Sequence, residues 1–486
     1  MYKRFLFQNE IDLLPLELKG VFDLYIKAGF ELYLVGGGVR NILSDKIPEN
    51  CDLTTNATPE QSLEILKSFE PFYNNDFGTV AFNITVNEAK ELYEITTYRS
   101  EEEYSDFRRP DSVSWGKTLE EDVERRDFTV NAIVIGRDKE GKFELIDLVN
   151  GLADFEKGVI RAVGEPELRF TEDALRMMRA IRFAARLKFS IEPKTLAAIT
   201  TKAALLAKIS RERVNQELMR ILSTDYPADG IRLLISTNLM NDIMPELLEG
   251  RGVEQGGHHR LTVIEHSIEA LHNCSSPDPV VRLATLLHDV GKPRTQRFKC
   301  RRCGKFYKGL SEEVFVCENC DFSQNTRKMI TFYGHEVVGA KMVKEIATRL
   351  RFTNKEIDRL TTMVRTHMFN YQPEMTDSAI RRIIRKIGKE NIADMMLLRI
   401  ADRKGSGSKT TSWRLMELQK RIGEQLYEPM EINDMVVDGR DVMAVLDIKP
   451  GPTIGKILNA LFEEVIEDTS KNEREYLLKR IKELAV

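Results

Sequence analysis

Residues 31–43, ELYLVGGGVRNIL, constrain the chain more than any other stretch. Apolar residues Leu32, Leu34 and Val35 run into Gly36, Gly37 and Gly38, after which Val39 and Ile42 resume at helical spacing. The pattern predicts a strand, a glycine turn and a helix. Such a turn carries no side chains, so its backbone N–H groups can face phosphate oxygens. Many glycine turns are only turns, so the reading depends on the chemistry of the neighbouring motifs. Asp52 lies in ENCDLTTN and Glu94 in the strand-like run YEITTYR. Acidic side chains on neighbouring strands can share Mg²⁺, which prefers oxygen ligands. Next, RRDFTVNA (125–132) places adjacent arginines before a predicted helix.

Around these motifs, 12–30 reads as an opening helix, and 77–84, 92–98 and 143–148 read as strands. Helical patterns fall at 60–69 and 129–135. The first 150 residues therefore predict a small mixed α/β unit. Beyond Gly151 the chain turns helical, with Thr171 expected to cap a helix whose first turn holds Glu172 and Asp173. Residues 157–222 carry 14 Lys/Arg against 7 Asp/Glu, a net +7 in a chain of net −4. That local excess suits a phosphate backbone, and a solvated helical face would also produce it. Segment 151–225 is the expected neck, 226–410 a second helical region with histidines at its helix ends, and 411–486 a charged helical tail. RKGSGSKTTS (403–412) is expected to be a loop. Apolar runs fall short of the ~20 residues of a membrane helix, and the N-terminus lacks a signal-peptide pattern. The expectation is a cytoplasmic protein without a membrane partner.

Four of the six cysteines form two C-x-x-C pairs, Cys300/Cys303 and Cys317/Cys320, thirteen residues apart. This spacing predicts a zinc ribbon at 298–324, four thiolates closing a tetrahedral site. A redox dithiol is the competing reading. Cys51 and Cys274 read as ordinary buried thiols.

Five ordered motifs, VGGGVRN, CDLTTNATPE, YEITTYRSEEEYSDFRRP, LEEDVERRDFTVNAI and RFTEDALRMMRAIRFAARL, resemble the bacterial tRNA nucleotidyltransferase (CCA-adding) and poly(A) polymerase family. The resemblance implies an α+β chain with a polymerase-β-like head on a short mixed sheet, followed by an all-α neck. Within it, Asp52 and Glu94 would hold Mg²⁺. Gly36, Gly37, Arg40 and Arg126 would contact the nucleotide. Asp173 and Arg176, three apart and expected on one helix face, would read the base, with Arg179 and Arg182 on the same stripe. The implied partners are a tRNA 3′ end, CTP and ATP. Short motifs leave poly(A) polymerase, A-only and CC-only addition open. One departure is Asn50, where the family usually has a second carboxylate two positions before Asp52. An amide can coordinate Mg²⁺ but brings no negative charge. A silent head serving as an RNA-binding module is therefore a further alternative.

LLHDVGKP (286–293) and TFYGHEVVGA (331–340) resemble the HD superfamily of metal-dependent phosphohydrolases. That resemblance implies a divalent transition metal (Ni, Mn, Fe or Co) held by His266, His288, Asp289 and Asp402, with His335 and His367 completing a second site. His258, His259 and His272 read as structural or surface residues.

Overall fold

The computed structural model describes residues 2–48, 51–75, 78–86, 89–98, 116–256, 260–369, 371–407 and 412–484. Asn50, His258 and His259 lie outside them. The chain divides into two compact units, Met1–Ile243 and Met244–Val486.

The first unit is organised by one eight-stranded sheet in the order β1-β8-β7-β2-β3-β6-β5-β4. The strands are β1 (Tyr2–Phe5), β2 (Leu32–Val35), β3 (Asp52–Thr55), β4 (Phe72–Asn75), β5 (Thr79–Val86), β6 (Ala89–Thr97), β7 (Val134–Arg137) and β8 (Phe143–Asp147). Among the described residues of this sheet, only the β3–β6 pair is parallel. Side chains alternate between faces along each strand. Leu34, Leu53, Ile95 and Ile135 therefore enter one core beneath α1 (Leu16–Lys27), whose Phe22 and Tyr25 are fully buried there, and α2 (Gly37–Leu43) adds Val39 and Ile42 to it. Burying a ring of this size contributes about 1.5–3 kcal/mol. Val35, Val134 and Ile146 enter a smaller core with Tyr98 and Val123.

Two local expectations need correction. Segment 129–135 is not a helix: a single 3₁₀ turn, Thr129–Asn131, leads into β7. The β-branched run Val130, Ile133, Val134, Ile135 favours a strand paired on both sides over a surface helix. Thr171 is not a helix cap. It lies inside α3 (Pro166–Glu172), and its hydroxyl donates to the Glu167 carbonyl at 2.7 Å. Pro166 starts that helix instead, and Asp173 ends it with extended backbone (φ −138°, ψ 102°). A new helix, α4 (Leu175–Leu187), begins two residues later and buries Met177, Met178, Ile181 and Ala184. α5 (Arg211–Leu222) packs beside it.

The second unit is helical. Its elements include α6 (Val263–His272), α7 (Pro279–Leu287), α8 (His335–Arg349), α9 (Asn354–Thr366) and α10 (Ile392–Gly405). The expected 403–412 loop is thus helical through Gly405, and 408–411 lie outside the described residues. Between α7 and α8 sit short strands β9 (Arg297–Lys299), β10 (Phe306–Tyr307), β11 (Val314–Val316), β12 (Ser323–Asn325) and β13 (Ile330–Thr331). A further helical core near the C-terminus gathers Val442, Leu461, Phe462, Val465 and Leu477. Among the described residues, no helix is long and apolar enough to cross a membrane.

Candidate functional site

Asp52 and Glu94 are register partners across the parallel β3–β6 pair. Their neighbours Leu53 and Ile95 point into the core, so the period of two sends both carboxylates to the opposite face. Asp52 opens to solvent and Glu94 is half-buried. Crowding by protein raises the pKa of Asp52, and Arg126, Arg179 and Arg40 oppose that rise. Burial and then the Asp52 charge raise that of Glu94. Two neighbouring carboxylates, one of them raised by the other's charge, form a hard-oxygen donor set suited to a divalent cation.

Gly36 turns the chain above Asp52 with φ +64°, and a Cβ there would lie 3.6 Å from Asp52 Oδ2. Gly38 packs so closely that a Cβ would meet Leu34 at 2.8 Å. These two positions explain the glycine run: one needs a left-handed backbone, the other needs space.

Asp52 borders two cavities that also share Arg126, Asp127 and Arg179. One, about 390 Å³, lies against the glycine turn and is lined by five arginines and two aspartates, a net +3. The other, about 490 Å³, contains Asp173 and Arg176, and its charges nearly balance: six arginines against five acidic residues. The first suits a polyphosphate and the second suits neutral hydrogen-bonding recognition.

Three arginines of the first cavity gather round one ring. Arg182, Arg40 and Arg179 lie 4.5, 5.0 and 5.7 Å from the centre of Phe183. Arg40 is buried, donates to the Asn131 amide oxygen, and is pushed by burial down to about 10. Asp127 anchors the group: Arg179 donates to its Oδ2 from Nε and Nη2 at 2.8 and 2.6 Å. Asn131 and the Phe128 backbone N–H donate to its other oxygen at 2.8 and 2.9 Å. Although burial alone would raise it, these partners hold the Asp127 carboxyl down at about 2. Arg126 is tied to Asp122 at 2.7 Å and Arg182 to Glu217 at 2.8 Å.

Asp173 and Arg176 do share a cavity, but not one helix face. Asp173 sits at the break between α3 and α4. Its Oδ2 accepts from Arg213 at 3.0 Å, while Arg176 donates to Glu172 at 2.6 Å and to the Arg125 carbonyl at 3.1 Å. Both are oriented by other partners. Sequence reasoning misses Asp127, Asn131, Phe183 and Arg213. The motif RRDFTVN stands out in the sequence, but there only its arginine receives a role. The ring and Arg213 carry no local signal.

In the second unit, every residue expected at the HD centre converges from helices or helix ends, with His288 and Asp289 adjacent at the end of α7. His266, His288 and Asp402 form one possible ligand group, and Asp289, His335 and His367 another. Asp289 reaches both: Oδ2 is 3.1 Å from His288 Nε2, and Oδ1 is 3.3 Å from His335 Nε2. The Nδ1 atoms of His288, His335 and His367 donate to the carbonyls of Thr285, Phe332 and Val364 at 2.7, 2.9 and 2.7 Å. That fixes the tautomer leaving Nε2 free to bind a cation. Burial opposes charge on His288, yet Asp289 and Asp402 push it up to about 10. A cation would compete with that proton. Gly291 explains part of the motif, because a Cβ there would strike the His335 carbonyl at 2.2 Å.

The four cysteine sulfurs also converge. Cys300–Cys320 and Cys303–Cys317 separations are 3.7 and 3.6 Å. Tetrahedral zinc with bonds of about 2.3 Å would space its sulfurs about 3.8 Å apart. The two knuckles turn alike: Gly304 and Asp321, each after a second cysteine, have φ +78° and +53°, and their N–H groups donate to Cys300 and Cys317 carbonyls at 2.9 and 2.8 Å. Gln324 donates to Cys300 Sγ at 3.2 Å. A hydrogen bond with the Tyr307 hydroxyl lowers the Cys317 pKa.

Comparison with known proteins agrees with this geometry. Residues 32–161 match the family described as "Poly A polymerase head domain", 188–250 match "Probable RNA and SrmB- binding site of polymerase A", and 324–481 match tRNA nucleotidyltransferase domain 2. The CCA-adding enzyme of Streptococcus suis is 30% identical over 472 residues, covering 96% of this chain and 97% of that enzyme. The chain belongs to the tRNA nucleotidyltransferase family. Within the family, the A-adding tRNA nucleotidyltransferase of Deinococcus radiodurans is 35% identical over 367 residues, 73% of this chain and 76% of that enzyme. A crystal structure of the Bacillus stearothermophilus CCA-adding enzyme in complex with CTP superposes with a TM-score of 0.66 at 25% identity, covering 96% of each chain. This tRNA nucleotidyltransferase therefore has the expected α+β class, with a polymerase head and a helical body.

Proposed function

We propose that this nucleotidyltransferase adds or repairs the 3′-terminal CCA of tRNA from CTP and ATP. The observation that carries the reading is the in-register Asp52–Glu94 pair, of which Asp52 borders both the basic cavity and the Asp173–Arg176 cavity. In this reading the tRNA 3′-hydroxyl attacks the α-phosphate and pyrophosphate leaves. Arg40, Arg126, Arg179 and Arg182 hold the triphosphate beside the glycine turn at Gly36 and Gly37. Asp173 accepts from the exocyclic amine shared by C and A, and Arg176 donates to the adjacent ring nitrogen; G and U present a carbonyl where the amine would be. Asp52 and Glu94 would hold Mg²⁺, which when bound neutralises phosphate charge and lowers the pKa of the attacking hydroxyl.

The test uses tRNA lacking its CCA end, supplied with CTP, ATP or both, with products resolved by length. Growth by two residues with CTP and by three with both supports the reading. Growth only on tRNA ending in CC, and only with ATP, would replace it with A-addition, which the Deinococcus relative's name favours. Long A tracts would indicate a poly(A) polymerase. Asn50 favours a further reading, a silent head binding RNA for the second unit. Efficient CMP and AMP incorporation by the unaltered chain would eliminate it.

For the second unit, the reading is a metal-dependent phosphohydrolase. His266, His288 and Asp402 would hold one transition-metal ion, and His335, His367 and Asp289 a second, with Asp289 reaching both groups. The Cys300/Cys303/Cys317/Cys320 site would hold a structural Zn²⁺. Its near-tetrahedral sulfur spacing supports this over a redox dithiol.

A further inference from the structure

The first hairpin of the ribbon, residues 297–308, carries six basic residues and no acidic one. Lys299 on β9 is the register partner of Phe306 on β10. Its Nζ lies 5.6 Å from the Phe306 ring centre and 5.7 Å from that of Tyr333. The two rings stand 6.1 Å apart at 81°. Large rings are normally buried, yet Phe306 is 48% and Tyr333 66% exposed. Neither supports the cysteine cluster, whose sulfurs bond to Gln324 and Tyr307 instead.

This surface is built on segments that also carry HD residues. β9 follows Asp289 and Lys292, which pair at 2.6 Å. β13 pairs with β9 through Ile330 and Phe298 and runs on to Phe332, whose carbonyl accepts from His335 Nδ1. Tyr333 is the next residue. The strands that present Lys299 and Tyr333 are therefore continuous with the backbone that holds Asp289 and His335.

We propose that Phe306, Lys299 and Tyr333 form a stacking platform for unpaired RNA nucleotides, with the strand's phosphate end directed to the HD centre. Exposed rings flanked by arginine and lysine match single strands, whose bases offer free faces and whose backbone is anionic. A duplex hides those faces. The platform stands on its own geometry, whereas delivery to the centre rests on the phosphohydrolase reading above.

The test uses the full-length, zinc-loaded chain and a short single-stranded RNA bearing 5-iodouridine and a 3′-phosphate. Photocrosslinking should leave an adduct on Phe306 or Tyr333. The double variant F306L/Y333L should lose that adduct and raise the KM for 3′-phosphate removal between about 5- and 150-fold. F306W/Y333W should restore both. Zinc content and hydrolysis of p-nitrophenyl phosphate should not change. Adducts found only within residues 1–243, an unchanged KM, or a parallel fall in p-nitrophenyl phosphate hydrolysis would overturn the proposal. If the unaltered chain hydrolyses neither ester, the phosphohydrolase reading fails, and the adduct position still decides the platform.

Discussion

Asp127→Asn tests how the basic cavity beside the glycine turn is held together. The side chain of Asp127 is only 9% exposed, and it accepts two hydrogen bonds from Arg179, one from Asn131 and one from the Phe128 backbone. Its folded-state pKa of about 2 lies below the ordinary 3.8. That depression corresponds to about 2 kcal/mol of stability when the carboxylate is fully charged. The asparagine keeps the shape but leaves the Arg179 guanidinium, about a third exposed, without its counter-charge, so the cost falls below the about 3–5 kcal/mol of breaking a fully buried pair. A loss of about 2–4 kcal/mol at pH 7 is expected, or roughly 5–15 °C in the melting temperature of a unit this size. The sign of the pH dependence is fixed. A depressed carboxylate stabilises above the unfolded pKa, and the benefit fades as pH falls through 3.8 toward 2. Denaturant unfolding of both proteins at pH 7, 5, 4 and 3 should show a constant gap down to about pH 5 that then narrows. Equal stability at pH 7, or a gap that does not change with pH, would refute the reasoning.

Other outcomes rest on the same geometry. Asn50→Asp should raise CMP incorporation sharply if the missing carboxylate limits the head, and steady-state kinetics with tRNA lacking CCA reads this directly. Asp289→Asn should lower transition-metal content at both histidine groups, whereas His288→Ala should weaken chiefly the His266–Asp402 group; elemental analysis after dialysis distinguishes them. Cys317→Ser should remove about one zinc per chain and destabilise the ribbon. Zinc retained at the unaltered level would exclude a four-thiolate site.

Much of the site is legible in the sequence because its chemistry clusters locally. VGGGVRN, CDLTTN, HDVGKP and the two C-x-x-C pairs each place reactive side chains within a few residues, and the family resemblance couples Asp52 to Glu94, whose register only the sheet pairing fixes. Local pattern fails where tertiary context outweighs it. Thr171 has the chemistry of a cap, but Pro166 starts the helix earlier and Asp173 ends it. The spacing of 129–135 reads as helical, and pairing with β2 and β8 draws Val134 and Ile135 into a strand. Arg213 meets Asp173 across forty residues, a contact no spacing rule reveals. Asp127 is visible within RRDFTVN, but its role depends on Arg179, fifty-two positions away.

The central claim is that Asp52 and Glu94 together hold the magnesium needed for nucleotidyl transfer. The direct measurement is single-turnover incorporation of α-labelled CTP into tRNA lacking CCA, across a Mg²⁺ titration, for the unaltered chain, Asp52→Asn and Glu94→Gln. Each variant should fold with an unchanged circular dichroism spectrum, lose about two or more orders of magnitude in rate, and require more Mg²⁺ to reach its plateau. Near-normal rates and an unshifted magnesium dependence in either variant would contradict it.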